Sequence, residues 1–226
     1  MHERLSVIVP TLDEAAGIVA ALTALAPLRA QGHEVIVVDA GEDGTAALAR
    51  PLADRVLRAP RGRARQMNRG AAVASGEVLL FLHADTRLPP SGAQAIVAGL
   101  ARTGHGGWGR FDVRLSGRLP ALRVVEAFMN GRSRLTGIAT GDQAIFVTRA
   151  RFREVGGYPD IPLMEDVALS KALKRLGRPL CLRDRVTTSS RRWERDGVAR
   201  TVLLMWSLRL RYFLGADPGD LARRYG

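Results

Sequence analysis

The stretches LSVIVP (Leu5–Pro10) and VIVVD (Val35–Asp39) decide the fold, together with AAGIVAALTALAPL (Ala15–Leu28) between them. Both flanking runs are continuously apolar and rich in Val and Ile, the pattern of parallel strands covered on both faces. In the intervening segment Ile18, Ala21, Leu22 and Leu25 recur at helical spacing, so it reads as a crossover helix. Thr11 and Glu14 stand three apart just before it, the spacing of a capping box. The alternation continues outward. A short strand is predicted at Arg55–Leu57, a helix near Ala64–Ala74, a fourth buried strand at VLLFLHAD (Val78–Asp85) and a helix over Gly92–Thr103. This succession predicts an α/β fold with an open, mostly parallel sheet flanked by helices.

The second half changes character. WGRFDVRL (Trp108–Leu115) alternates and predicts an antiparallel edge strand, Ala121–Arg134 a helix, Ala144–Thr148 a strand, and Val167–Leu176 a helix stopped by Gly177 and Pro179. With 226 residues, 46% of them hydrophobic, the chain can bury one substantial core. The expectation is one domain over residues 1–195, followed by a helical appendage at 196–226. In that appendage Leu203, Trp206, Leu210 and Phe213 share one helical face, interrupted by Arg209 and Arg211. Closure of the core, or a homodimer contact, is the plain reading of this face. A basic amphipathic helix over 201–214 lying in a membrane interface is the alternative.

The net charge is +12, which favours an anionic partner. Of the 34 basic residues only Lys171 and Lys174 are lysines, and the arginines are scattered among carboxylates rather than set in an aromatic-interleaved stripe. No nucleic-acid partner is expected. A lone cysteine, Cys181, forms no internal disulfide. The polar Met1–Arg4 runs into an apolar stretch of strand length, too short for a signal peptide, and no apolar run is long enough to span a bilayer. The expected location is cytoplasmic, at most peripheral at the inner face of the membrane.

Ligands of open α/β sheets collect at the carboxyl ends of the strands, and polar clusters sit at those ends. In VIVPTLDE the strand turns into a helix at Asp13, presenting backbone N–H groups. In VVDAGEDGT, Asp39 ends a buried strand, where a carboxylate can accept from a ribose or base. A dinucleotide site would need a Gly-rich fingerprint after the first strand, and PTLDEAAG has none. In FLHADT, Asp85 with His83 two positions earlier can hold Mg²⁺ or Mn²⁺; alone, His83 also reads as a structural histidine. Glu165 and Asp166 open the helix of MEDVALSKALKR, where acids favour the helix dipole in any case but where one can also serve as a general base.

These motifs, with RGRARQMNRGAAVASGEVLLFLHADT, TGDQAIFVTR and GGYPDIPLMEDVALSKALKR, stand in the order seen in family-2 glycosyltransferases of the GT-A fold. The chain resembles the short, single-domain bacterial members from about Leu5 to Arg192. The resemblance implies an inverting transferase that uses a divalent metal and a nucleotide-diphosphate sugar, UDP-linked in the commonest case. It implies Pro10, Thr11, Asp13, Glu14, Asp39 and Asp43 at the nucleotide, with Arg65, Gln66 and Asn68 approaching from the next helix. Asp85 would be the metal-binding aspartate and Asp166 the base, beside Glu165. Asp142 and Gln143 would face the transferred sugar or the acceptor, as would Arg192 and Trp193 of SSRRWERDG. Many relatives carry two or three acids in the metal motif, whereas HAD offers Asp85 alone. The acceptor is unidentified, a lipid-linked sugar being one option. The rival readings are a sugar nucleotidyltransferase, which would want a Gly-rich basic loop in place of TLDEAAG, and a non-catalytic nucleotide-sugar-binding protein.

Overall fold

The computed structural model describes residues 4–102 and 106–225. In chain order the elements are β1 Leu5–Thr11, α1 Ala15–Thr23, α2 Ala26–Ala30, β2 Glu34–Asp39, α3 Thr45–Ala49, β3 Arg55–Arg58, α4 Arg63–Val73, β4 Val78–Phe81, β5 Thr86–Arg87, α5 Gly92–Ala101, β6 Trp108–Leu115 and α6 Pro120–Thr136. A 3₁₀ turn at Gly141–Gln143 leads into β7 Phe146–Thr148. Then follow α7 Arg149–Glu154, α8 Glu165–Leu176, β8 Leu180–Thr188, α9 Arg191–Asp196, α10 Val198–Phe213 and α11 Pro218–Tyr225.

One sheet runs in the order β3-β2-β1-β4-β7-β6-β8-β5. The β3-β2-β1-β4 half is parallel. Beyond it β7 pairs antiparallel with β4 and β6, while β8 runs parallel to β6 and antiparallel to β5. Period-two alternation divides the core into two layers. Val7, Val9, Val35 and Val37 pack with Ile18 and Leu22 of α1 on one face. Ile8, Ile36 and Val38 pack with Ala64, Met67 and Ala71 of α4 on the other. Gly70 lets α4 lie flat on the sheet, because a Cβ there would stand 2.5 Å from Ile8 Cγ2 and 3.2 Å from Val38 Cγ2.

Several expectations need correction. The first helical segment is two helices, broken between Thr23 and Ala26. The fourth strand stops at Phe81, so His83 and Asp85 stand in a turn rather than on a strand. Trp108–Leu115 is an interior strand flanked by β7 and β8; every residue but Arg114 is buried, and its short polar alternation gave no sign of the second partner. In the helix predicted over Gly92–Thr103, Thr103 lies outside the described residues. The face of α10 bearing Leu203, Trp206, Leu210 and Phe213 does not close the core: these side chains are 67, 58, 61 and 55% exposed. The helix is anchored instead through Leu208, which joins Leu221 of α11 against Ile138, Met164 and Val167. Among the described residues no helix is long and apolar enough to cross a membrane.

Candidate active site

The loops after β1 and β2 brace one another. Thr11 donates its hydroxyl to Asp39 Oδ1 at 2.8 Å, and Arg58 of β3 reaches Asp39 Oδ2 at 2.5 Å. Asp39 is thus buried in a local network at the strand end. The expected Thr11/Glu14 capping box does not form, since Thr11 belongs to β1. The second loop supplies the cap: Glu14 N–H donates to Thr45 Oγ1 at 2.9 Å and Ala15 N–H to Asp43 Oδ2 at 2.8 Å. Hydrogen bonds from Thr45 and then Ala15 hold the Asp43 carboxyl below its ordinary range. Asp13, exposed and with φ +54°, accepts from Glu42 N–H at 3.2 Å.

Four residues expected at the nucleotide have their side chains engaged in the scaffold. Pro10 is buried in β1 beyond the last β1–β4 pair, Ile8↔Phe81, where the sheet needs no N–H on that side. Thr11 is tied to Asp39. Gln66 is buried and donates to the carbonyls of Thr11 and Val38 at 2.7 and 2.8 Å, so it pins α4 under the first two loops. Asn68 exchanges two hydrogen bonds with the backbone of Tyr158, at 2.7 and 2.9 Å. Arg65 makes a surface pair with Asp160 at 2.8 Å. Side-chain chemistry on this flank is therefore left to Asp13 and Glu14.

After β4 the turn presents Asp85 to solvent, its carboxylate accepting, among the described residues, only a long bond from Thr86 Oγ1, 3.3 Å. Burial, followed by the nearby charge of Asp85, raises the Glu14 carboxyl above its usual range. His83 Nδ1 lies 3.6 Å from Asp142 Oδ1. Burial would raise the Asp142 carboxyl, but contact with His83 outweighs it and the carboxyl is held low. Gly141 makes this approach feasible, because a Cβ there would fall 2.5 Å from the His83 ring. The adjacent Gln143 does not reach the site: it is fully buried, its Oε1 accepting from Thr140 N–H at 3.2 Å.

Asp166, the second residue of α8, accepts from Gly141 N–H at 2.9 Å through Oδ2 and from Val167 N–H at 2.7 Å through Oδ1. Glu165 beside it is buried, 3.6 Å from Arg63 Nη1. Burial and then the charge of Asp166 push its carboxyl up to about 7, with Arg63 opposing. Two non-glycine residues in this region hold left-handed backbone, Ala144 at φ +48° and Met164 at φ +69°. Each costs about 1–3 kcal/mol, and such strain concentrates at functional sites.

A cavity of about 700 Å³ is lined by Asp85, His83, Asp142, Arg192 and Trp193. A smaller one adjoins it, lined by Glu165, Asp166, Thr140 and Gly141. His83, Asp142 and Arg63 border both. The fold thus joins Asp85, His83, Asp142 and Asp166 in one cleft, while Asp39 lies two strands away and lines neither cavity. No group of three or more His, Cys, Asp or Glu side chains able to hold a metal unaided occurs among the described residues. The donor set still fits a hard cation that draws its remaining oxygens from a diphosphate: the Asp85 carboxylate faces solvent, and His83, two residues earlier, lines the same cavity. Sequence reasoning missed Arg63, which opens α4 two residues before Arg65, and also Arg132, Arg209 and Tyr225. Arg132, Arg209 and Tyr225 come from α6, α10 and α11, which only the tertiary fold lays over the cleft.

A parallel half-sheet with acids at its strand ends, extended by a mixed half beyond β4, defines an α/β protein of the GT-A type. The sequence model for glycosyl transferase family 2 matches residues 6–150, and the chain belongs to that family. No curated protein matches it. Solved structures share the fold at low identity. S. aureus TarS 1–349 has a TM-score of 0.66 at 19% identity, over 83% of this chain and 60% of that one. The mannosyltransferase PcManGT from Pyrobaculum calidifontis, in complex with GDP-Man and Mn²⁺, has a TM-score of 0.64 at 21% identity, over 100% and 69%. Glucosyl-3-phosphoglycerate synthase from Mycobacterium tuberculosis, with Mn²⁺, UDP and glucosyl-3-phosphoglycerate, has a TM-score of 0.58 at 21% identity, over 82% and 71%. The chain therefore spans about three fifths of the TarS structure it matches.

Proposed function

We propose that the protein is an inverting glycosyltransferase that moves a sugar from a nucleotide-diphosphate donor, UDP-linked, to a hydroxyl acceptor. The observation that carries this reading is the fixed carboxylate of Asp166, held by the Gly141 amide in a cavity that adjoins the one containing Asp85 and shares His83 and Asp142 with it. The nucleotide lies over the loops after β1 and β2, beside Asp13 and Glu14, with Asp39 and Asp43 setting the shape of those loops. Asp85, with His83, would hold Mg²⁺ or Mn²⁺, and the ion would supply charge neutralisation for the departing diphosphate.

Asp166 takes the proton of the acceptor hydroxyl as its oxygen bonds to the anomeric carbon. The bond from that carbon to the diphosphate oxygen breaks, and its electron pair leaves with the nucleoside diphosphate. A single general base contributes about 10²–10⁴-fold, so stabilisation of the leaving group supplies the larger share. Asp142, Arg192 and Trp193 line the acceptor side. In this reading residues 1–195 form the transferase domain and 196–226 an appendage that walls that side.

UDP-bound and UDP-GlcNAc-bound neighbours of the same fold support the choice of nucleotide; the GDP-Man complex makes GDP the competitor to include. Thermal shift with UDP or GDP, with and without Mn²⁺, tests the reading. A nucleotide at 100 times its dissociation constant adds about 2.7 kcal/mol, roughly 5–10 °C for a chain of this size. If neither nucleotide shifts the melting temperature with Mn²⁺ present, the donor site is misassigned.

A further inference from the structure

The larger cavity is walled on one side by Val124, Phe128 and Met129 of α6 and on the other by Val198, Val202 and Trp206 of α10. These apolar walls continue onto the surface: Phe128 is 64% exposed, Val124 is exposed, and beyond Trp206 the outward face of α10 remains uncovered. The same cavity is also cationic, lined by Arg63, Arg132, Arg192 and Arg209.

The arginines differ in how they are satisfied. Arg110, buried close by, is neutralised by Asp112 and donates to the Asn130 carbonyl. Arg192 stacks on the Tyr225 ring at 3.7 Å, donates to its carbonyl at 2.8 Å and lies 3.8 Å from Asp196, although its Nε makes no hydrogen bond among the described residues. Among the described residues Arg132 and Arg209 form no ion pair, and Arg132 Nε and Nη2 are buried with no hydrogen-bond partner. Burial and then the charge of Arg209 push the Arg132 guanidinium down to about 10, with the charge of Asp166 opposing. A buried, unpaired guanidinium is expensive unless an anion satisfies it. Of the carboxylates lining the same cavity, Asp142 is held first by His83 and less strongly by Arg63 and Arg209, and Asp85 is the residue proposed for the metal.

We infer that the acceptor is an amphiphile: a phosphate in its head is held by Arg132 and Arg209, and its hydrocarbon chain leaves between α6 and α10. This deepens the transferase reading and rests on it, since the head is then delivered to the shared boundary at His83, Asp142 and Arg63, beside Asp166. Its hydroxyl takes the sugar by the displacement described above. The chain exits onto the apolar face of α10, which gives that exposed face a use that core packing does not.

Three probes separate the parts: dioctanoylphosphatidylglycerol, with phosphate, hydroxyls and chains; glycerol 3-phosphate, the head alone; and dioctanoylglycerol, chains without phosphate. Titration is followed by tryptophan fluorescence, Trp193 and Trp206 both lining the cavity. The phospholipid should bind about tenfold or more tighter than either fragment, and Arg132→Met should weaken it about tenfold while changing dioctanoylglycerol less than about twofold. Phe128→Ser, on an exposed wall position that tolerates substitution, should weaken both lipids and spare glycerol 3-phosphate. Glycerol 3-phosphate binding as tightly as the phospholipid would remove the chain groove; dioctanoylglycerol binding as tightly, or an unaffected Arg132→Met, would remove the anion site. The UDP–Mn²⁺ thermal shift, run in parallel, should persist in both variants, showing that they fold. Its absence in the wild type would bring down the donor reading while leaving the lipid titration readable.

Discussion

The Gly141 amide donates to Asp166 Oδ2 at 2.9 Å, so the turn that lets His83 approach Asp142 also fixes the carboxylate at the start of α8. The acid is oriented by backbone rather than by a second side chain, and substitution at Asp166 can change its chemistry while leaving the loop almost intact. Asp166→Asn should lower transfer by about 10²–10⁴-fold, with nucleotide and Mn²⁺ binding nearly unchanged. Steady-state turnover with a competent acceptor, beside nucleotide titration, checks this. Wild-type turnover in the variant would exclude Asp166 as the base.

Gly141 itself should be intolerant. In Gly141→Ala the new methyl would overlap the His83 ring, and relief requires moving either the ring or the turn that donates to Asp166. A loss of kcat exceeding any loss of nucleotide affinity is expected. A crystal structure of the variant would show which of the two moved.

Asp85→Ala should remove the cation dependence of nucleotide binding. Asp85 is exposed and makes one long hydrogen bond, so the fold should hardly notice, and a surface change of this kind stays within about 0.5 kcal/mol. The UDP thermal shift should become the same with and without Mn²⁺. An unaltered Mn²⁺ response would move the metal to other ligands.

Glu165 links the site to stability. Its folded carboxyl titrates at about 7 against 4.5 ordinarily, so the folded state binds more protons between those values and stability falls as pH rises from about 4.5 to 7. Glu165→Gln should flatten that fall and raise stability at pH 8 by roughly 2–3 kcal/mol. Melting curves from pH 5 to 8 for both proteins provide the measurement. A wild-type melting temperature that rises across this range would contradict the assignment.

Gly70 is a purely structural counterpart. Gly70→Ala drives a methyl into Ile8 and Val38, and overpacking of this sort costs about 1–3 kcal/mol. Denaturant unfolding should show the loss, with the nucleotide still bound by the folded fraction.

The sequence alone was enough for the α/β frame. Continuous Val/Ile runs at Leu5–Pro10 and Val35–Asp39 can be stable only with both faces covered, and that demand is local to the strand. It could not say which acids would be free. Asp39 ends one buried strand and Asp85 follows another, yet Asp39 is locked by Thr11 and Arg58 whereas Asp85 is open. That difference comes from side chains 28 and 19 residues from Asp39, which no local pattern reports. The exposed face of α10 and the unpaired Arg132 beneath it were likewise decided by tertiary structure. Helical periodicity identifies an apolar face but not what lies opposite it, and here α6 and α10 leave a cavity between them instead of closing the core.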